Sequence, residues 1–220
     1  KYFNYFPKEY YYLNDSSSSL DVVTNITSKF KFEDDFKNNS VVYYEYEVQD
    51  GETPEIVAHK MYGSPEKHWA VLMLNDIIDP QFDWPLSSKQ FGDYIINKYT
   101  NDAANFYNIS NTSINSSQVL AYTQNTIHHY ERVIVTTDNT SGTQSIKTLN
   151  VTEEEVLSTI TGTQKITFND GSTATQQLYF NYVSIYDYEN TLNENKRNIK
   201  LINKSYIGAM ESQFQTLMSR

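Results

Sequence analysis

The stretch from Tyr46 to Pro80 constrains the fold most, because it contains clear signals for where secondary structure starts and stops. Residues 46–48 alternate apolar with polar side chains, as in a half-buried strand. Thr53 is suited to the N-cap of a helix, and Pro54 to its first position, where the missing N–H costs nothing. Gly63 can adopt the left-handed conformation that ends a helix. The sequence predicts a strand followed by a helix over about 54–62.

The same start signal repeats directly afterwards. Ser64 is a second candidate N-cap and Pro65 a second first-turn residue. Apolar residues then follow at helical spacing, namely Trp69, Leu72 and Met73, and the pattern closes near Asn75. We therefore predict a second short helix capped by Ser64.

Several of these residues together resemble the LysM pattern: Val48, Gly51, Glu52, Thr53, Ile56, Ala58, Tyr62, Gly63, Trp69, Leu72, Asn75, Ile78, Asp79 and Pro80. The resemblance implies a strand–helix–helix–strand fold and binding of N-acetylglucosamine polymers, peptidoglycan included. Its implied glycan site comprises residues of the two loops, Gly51, Thr53, Asn75 and Asp79, with Trp84 or Tyr62 as a stacking ring.

After Pro80 the sequence departs from that pattern. Phe91, Tyr94, Ile95 and Tyr99 are spaced as on a helix, where LysM repeats have their closing strand. We therefore expect the closing strand to be missing. A competing interpretation places Tyr62 and Trp69 in the core and Trp84 at the edge of the domain, which would leave no sugar site.

Both ends of the chain carry apolar side chains suited to partner binding. The first segment is rich in aromatic residues without a regular period, and a last helix, capped by Ser205, has an apolar side. The candidate partner-binding residues are Tyr2, Phe3, Tyr5, Phe6, Tyr10, Tyr11, Tyr12, Ile207, Met210 and Phe214. Two alternatives stay open for each segment: it packs on its own domain or it contacts a neighbouring protein.

The middle of the chain predicts an inserted β-rich region. Residues 130–137 and 145–151 read as one hairpin, and residues 163–168 and 173–182, around Asn169-Asp170-Gly171, read as another. Thr152 and Glu155 have the spacing of a capping box, and the Asn/Ser-rich residues 101–117 predict a loop. The predicted fold class is α+β, with four segments: an extended arm (1–42), a LysM-like domain (43–99), the insertion (100–182) and a helical tail (183–220).

Composition excludes several kinds of partner. The formal net charge of −10 argues against nucleic acid, whose binding depends on Lys and Arg. The chain has no cysteine, which excludes disulfides and thiolate metal sites. We expect no membrane span and no signal peptide, since the apolar stretches are short and the first residues lack the basic-then-apolar layout.

No pattern of catalytic residues stands out. His128 and His129 are adjacent on a predicted strand, where neighbouring side chains point to opposite faces, so we expect them not to share one metal ion. The acidic runs lack a second feature that would separate two carboxyl pKa values. We therefore expect no enzyme activity, no metal and no cofactor.

A wider set of motifs is similar to the family of baseplate wedge subunits encoded by gene 53 of T-even-type contractile-tailed bacteriophages. The matching motifs are Phe6-Pro7-Lys8, Asp50-Gly51-Glu52-Thr53-Pro54, Lys67-His68-Trp69, Leu74-Asn75-Asp76, Trp84-Pro85-Leu86-Ser87, residues 127–131 and residues 193–202. This resemblance implies a structural protein of the virion, assembled in the host cytoplasm and present in several copies. Its implied partners are other wedge proteins, the central hub and tube- or sheath-proximal subunits.

Overall fold

The computed structural model describes residues 6–12, 20–26 and 42–218, with side chains described up to residue 216. The described strands are β1 (Lys8–Tyr11), β2 (Asp21–Thr24), β3 (Tyr43–Glu47), β4 (Ile127–Asp138), β5 (Gln144–Val151), β6 (Gly162–Thr167), β7 (Thr173–Ser184) and β8 (Asn198–Ile202). The described helices are α1 (Pro54–Tyr62), α2 (His68–Leu74), α3 (Pro80–Asp83), α4 (Ser88–Tyr107), α5 (Ser116–Asn125), α6 (Glu153–Ser158), α7 (Ile185–Asn195) and α8 (Lys204–Met218). This mixture of helices and antiparallel strands confirms the α+β class.

The chain divides into two compact units. The described residues within 1–88 and 193–220 form the first unit, and residues 89–192 form the second. The four segments predicted from the sequence have other limits, and they stay a prediction.

The first helix of the first unit starts and stops where its sequence predicts. The Ile56 amide donates to the Thr53 hydroxyl at 3.4 Å, and Pro54 is the first helical residue. Gly63 has φ 75°, and its amide donates to the His59 carbonyl at 2.9 Å. A residue with a Cβ would be strained at this φ, which explains glycine there.

Two other predicted caps were wrong. Ser64 makes no side-chain cap hydrogen bond; it precedes a 3-10 turn at Pro65–Lys67, and α2 begins only at His68. Helix ends often tighten into such i to i+3 bonds, which satisfy the first amides without a cap. At α8 the Asn203 side chain, rather than that of Ser205, takes the capping place and accepts from the Ser205 amide at 3.2 Å.

The expectation that the closing strand is missing was also wrong. Strand β8 pairs antiparallel with β3, with Tyr43 opposite Ile202 and Glu47 opposite Asn198. The helical stripe predicted after Pro80 is real, as part of α4, but the second strand comes from residues 198–202 instead. The order β3, α1, α2, β8 therefore gives strand, helix, helix, strand from two distant parts of the sequence.

The core of the first unit lies between this strand pair and its helices. Val48, Val57, Val71, Leu201 and Ile202 are almost completely buried in it. The same core contains Phe6, Tyr62, Trp69, Leu74, Trp84, Ile199, Ile207, Met210 and Phe214. Helix α8 thus docks on its own unit, the first of the two alternatives left open by its sequence.

The second unit contains one antiparallel sheet in the order β5-β4-β7-β6. The two predicted hairpins are present as β4–β5 and β6–β7, and they join through the pairing of β4 with β7. Gly171 supplies φ 83° in the second turn. Thr152 and Glu155 form the predicted capping box of α6.

The predicted loop over 101–117 was wrong for its first seven and last two residues and right for residues 108–115. Helix α4 continues to Tyr107, and α5 begins at Ser116 with a capping box between Asn115 and Gln118. Ala103 and Ala104 are buried two turns beyond Ile95, on the same apolar side of α4. Their packing stabilises the helix, although the neighbouring residues have low helix propensity.

Candidate functional site

The described part of the aromatic arm is anchored by Phe6. Its side chain is 5% exposed and meets Phe214 edge to face, with ring centroids 6.3 Å apart. Phe214 in turn stacks on Trp69 at 4.7 Å. Such aromatic pairs contribute beyond the area they bury, so Phe6 fixes the arm to the core of the first unit.

Directly after Phe6 the arm forms a two-stranded ribbon of β1 and β2. The Asn25 amide donates to the Pro7 carbonyl at 2.8 Å, and the Asn25 side chain donates to Glu9 Oε1 at 2.7 Å. Tyr10 lies opposite Val22 in the register. These contacts set the ribbon geometry close to its anchored end.

One face of this ribbon is an exposed apolar surface. Tyr10 is 73% exposed and its partner Val22 is 59% exposed. Just beyond the paired residues of β1 and β2, Tyr12 and Leu20 continue the same alternation and are 54% and 49% exposed. We call these four residues the ribbon face. A two-stranded ribbon is only marginally stable by itself. An exposed apolar patch on a protein surface is typical of a docking site.

The other candidate partner-binding residues lie elsewhere. Tyr2, Phe3 and Tyr5 fall outside the described residues. Tyr11 is exposed on the opposite side of the ribbon from Tyr10. Ile207, Met210 and Phe214, like Phe6, are buried in the core of the first unit, so they offer no free surface in this arrangement.

The residues implied for glycan binding make contacts within the first unit instead. Trp84 is only 6% exposed, and its indole N–H donates to the Glu52 carbonyl at 2.7 Å, so its ring is no stacking platform. Thr53 caps α1, and Asp79 caps α3 by accepting from the Gln81 amide at 3.0 Å. Gly51 occupies a turn with φ 76°.

Asn75 is likewise used within the unit. Its side-chain amide donates to the carbonyls of Val71 and Lys200, both at 2.8 Å, and its oxygen accepts from the Lys200 amide at 2.7 Å. This pairing joins the end of α2 to β8. Sequence reasoning missed the role because Lys200 is far from Asn75 along the chain.

A buried carboxylate in the same turn was also missed. Glu52 accepts from the Tyr46 hydroxyl at 2.8 Å, from the Gln49 amide at 2.9 Å and from the Lys60 ammonium. Burial alone would raise the pKa of Glu52, but these donors outweigh it and lower the pKa. Burial and the bond to Glu52 raise the pKa of Tyr46 to about 12. The carboxylate thus stays ionised and fixes the turn before α1.

The second unit contains a similar cluster around Glu189. This carboxylate accepts from Tyr99 at 2.6 Å, Lys98 at 2.7 Å and Tyr94 at 3.0 Å. Burial would raise the pKa of Glu189, yet the hydrogen bonds from Lys98, Tyr99 and Tyr94 lower it. The cluster joins α4 to α7 and keeps the acid charged, which suits a structural bond rather than proton donation.

The prediction that the side chains of His128 and His129 point to opposite faces of the sheet was wrong. The register of β4 against β7 shifts between Ile127 and His129, so regular alternation fails there. The Nδ1 atoms of His128 and His129 lie 2.9 Å apart. Within the described residues, no group of three or more His, Cys, Asp or Glu side chains is placed to hold a metal ion.

None of the described helices has the length and apolarity to cross a membrane.

Comparison with known proteins gives two findings. The model of the family described as "Base plate wedge protein 53" matches residues 2–160 of the chain. "Baseplate wedge protein gp53" of Enterobacteria phage T4 is 27% identical over 89 residues, which cover 40% of this chain and 45% of that protein. The aligned part of the chain therefore spans less than half the length of this relative.

Proposed function

We infer the function from the premise that this chain belongs to the base plate wedge protein 53 family, whose model covers well over half of it. As a member, it is a structural component of the phage virion, located in the tail baseplate. We propose that it joins neighbouring wedge subunits around the central hub by protein–protein contacts. Its partners would be other wedge proteins and hub, tube- or sheath-proximal subunits, met in several symmetric copies.

The ribbon face carries this proposal. Tyr10, Tyr12, Leu20 and Val22 are half to three-quarters exposed, on a ribbon whose base is fixed by Phe6. Tyrosine supplies a large contact area while only two side-chain torsions have to be fixed, which is why interfaces are rich in it. Burying the four side chains against a neighbour would remove their apolar area from water, at roughly 25 cal/mol per Å².

Anchoring also lowers the cost of binding. A free aromatic tail would lose all its backbone freedom when it docked, at about 1–2 kcal/mol per residue. The described part of the arm is already held in strand pairs, by the Phe6 contact and by the Asn25 bonds to Pro7 and Glu9. Preorganisation of this kind improves affinity without adding contacts.

The alternative, a LysM-type module that binds peptidoglycan, has less support from the geometry. Trp84 is buried, and Asn75 has three hydrogen bonds inside the unit. A sugar would have to compete with these bonds or use the remaining backbone of the two loops. The strand–helix–helix–strand order alone does not create a sugar site, because function depends on the site and not on the fold.

Reconstitution of wedge complexes tests the proposal. The full chain is mixed with the other wedge proteins of the same phage, and complex formation is followed by sedimentation. A Tyr10→Ser/Val22→Ser variant should fail to join the complex, whereas an Asp21→Asn variant, on the opposite face of the same ribbon, should join normally. Equal incorporation of both variants would contradict the role of the ribbon face.

A pull-down on purified cell wall separates the two functions. Under the proposal the wild-type chain is not retained by peptidoglycan at any salt concentration. Retention that soluble N-acetylglucosamine oligomers compete away, together with normal wedge assembly by the Tyr10→Ser/Val22→Ser variant, would favour the glycan alternative.

A further inference from the structure

The first residues of β4 contain an irregularity that brings two histidine rings together. Ile127 pairs with Ser184 and His129 pairs with Val183, so His128 is an extra residue without a partner in β7. Such a bulge redirects one side chain relative to strict alternation. As a result the rings of His128 and His129 lie edge to face, with centroids 5.1 Å apart.

A tyrosine from α7 holds this arrangement. The Tyr188 ring stacks on His128 with centroids 3.8 Å apart and an interplanar angle of 10°, and it meets His129 edge to face at 5.8 Å. Two elements of the second unit therefore fix the histidine rings, and His128 remains exposed to solvent. The pair is both ordered and accessible.

The distance between the two ring nitrogens matches a metal chelate. The Nδ1 atoms lie 2.9 Å apart. Imidazole nitrogens bind first-row metal ions at about 2.0–2.1 Å, and two such ligands at a right angle are then about 2.9 Å apart. To meet at one ion, the two lone pairs have to turn by about 45° from the line that joins the nitrogens.

The outer nitrogen of His129 lies near a carboxylate. His129 Nε2 is 3.6 Å from Glu131 Oε1, just beyond hydrogen-bond distance, so a small side-chain movement would let the two atoms bond. Metal-bound histidines commonly donate their other ring N–H to a carboxylate, which fixes the tautomer. A proton on Nε2 facing Glu131 leaves the His129 Nδ1 lone pair free toward His128.

We propose that His128 and His129 form an open site for a divalent first-row ion that favours imidazole and right-angled ligand pairs, such as Ni²⁺ or Cu²⁺, with water in the remaining positions. Without the ion, one Nδ1–H donates to the other Nδ1. On binding, that proton moves to the outer Nε2 of its own ring, so both Nδ1 atoms face the ion and no net proton is released. The proposal is independent of the role in the baseplate.

Calorimetric titration of the full chain with Ni²⁺ tests this site. The wild type should bind one ion saturably, and His128→Ala or His129→Ala should each weaken binding by about tenfold or more. The His59→Ala/His68→Ala variant is the matched control, since these are the other two histidines of the chain, and it should bind like the wild type. Cu²⁺ bound to the wild type should show coupling to two nitrogens in its electron paramagnetic resonance spectrum.

Two results would overturn the proposal: no saturable Ni²⁺ binding by the wild type, or binding that survives in a His128→Ala/His129→Ala variant. Far-UV circular dichroism checks that the variants are folded, and glutamine replaces alanine at either position if they are not. Glu131→Gln should weaken binding by about tenfold. An unchanged affinity would overturn the orienting role of Glu131.

Discussion

Replacing Asn75 by alanine tests whether one side-chain amide holds the closing strand in place. The Val48 amide donates to the Arg197 carbonyl at 2.9 Å. Since bonded pairs alternate along an antiparallel ladder, residue 200 turns its N–H and C=O away from β3. The Asn75 side chain hydrogen-bonds to both groups: its oxygen accepts from the Lys200 N–H at 2.7 Å, and its amide donates to the Lys200 carbonyl at 2.8 Å. It therefore replaces the hydrogen bonds that a third strand would make.

The cost of the change follows from these bonds. Asn75→Ala removes three hydrogen bonds, two to Lys200 and one to Val71. Each contributes about 1 kcal/mol net, and groups left without a partner raise the cost. We expect the first unit to lose about 2–4 kcal/mol. Asn75→Asp should cost at least as much at neutral pH, because it keeps the acceptor but faces two carbonyls with a negative charge.

Tryptophan fluorescence provides the assay. Trp69 and Trp84 are the only tryptophans of the chain, and both are buried in the first unit. Their emission therefore reports unfolding of this unit alone. For a urea dependence of about 2 kcal/mol per M, the unfolding midpoint of Asn75→Ala should fall by about 1–2 M.

Asp79→Ala is the control, because Asp79 caps only the four-residue helix α3. Losing such a cap typically costs about 1 kcal/mol, so its midpoint should move by about 0.5 M or less. If Asn75→Ala shifted the midpoint no more than Asp79→Ala does, the amide would not hold β8 and the reasoning would be refuted.

Two further predictions concern the two cores. Trp69→Ala should destabilise the first unit by about 3–5 kcal/mol, because the buried indole stacks on Phe214; a melting temperature like that of the wild type would contradict this. Glu189→Gln should destabilise the second unit by about 1.5–3 kcal/mol near neutral pH. Because the folded pKa of Glu189 lies below its ordinary value of 4.5, this contribution is present above pH 4.5 and is lost as the pH falls through the folded value. In circular dichroism melts, the melting temperatures of the wild type and of Glu189→Gln should therefore approach each other as the pH is lowered below 4.5. A difference that stays constant would count against the charged cluster.

Local signals in the sequence predicted the features that depend on few neighbouring residues. The Thr53 cap, the Gly63 stop and the Thr152–Glu155 capping box were all confirmed. In each case donor and acceptor lie within four residues of each other, so the bond depends little on the rest of the fold.

Features that depend on distant residues were not predictable in this way. The strand Asn198–Ile202 is short, with apolar residues only at 199, 201 and 202, and nothing near it indicates a strand partner at Tyr43–Glu47. The continuation of α4 past residue 101 depends on burial of Ala103 and Ala104, which outweighs the low helix propensity of their neighbours.

The sequence prediction for His128 and His129 failed for a different reason. Alternation along a strand holds only while the register holds, and one extra residue at His128 reverses the conclusion. No residue around it signals a bulge, since glycine and proline are absent from residues 121–137. The candidate site in the second unit is therefore a property of the sheet register rather than of a motif.

The distant closing strand also explains how the first unit tolerates a long insertion. Between α2 and β8 lie residues 75–197, about 120 residues, where a direct connection would need on the order of ten. The added loop-closure entropy is about 2 kcal/mol even for a flexible chain, because the cost grows only with the logarithm of length. Burying Ile199, Leu201 and Ile202 contributes about 1.5–3 kcal/mol each. The burial outweighs the entropy, so β8 pairs with β3 although the whole of the second unit separates it from α2 in the sequence.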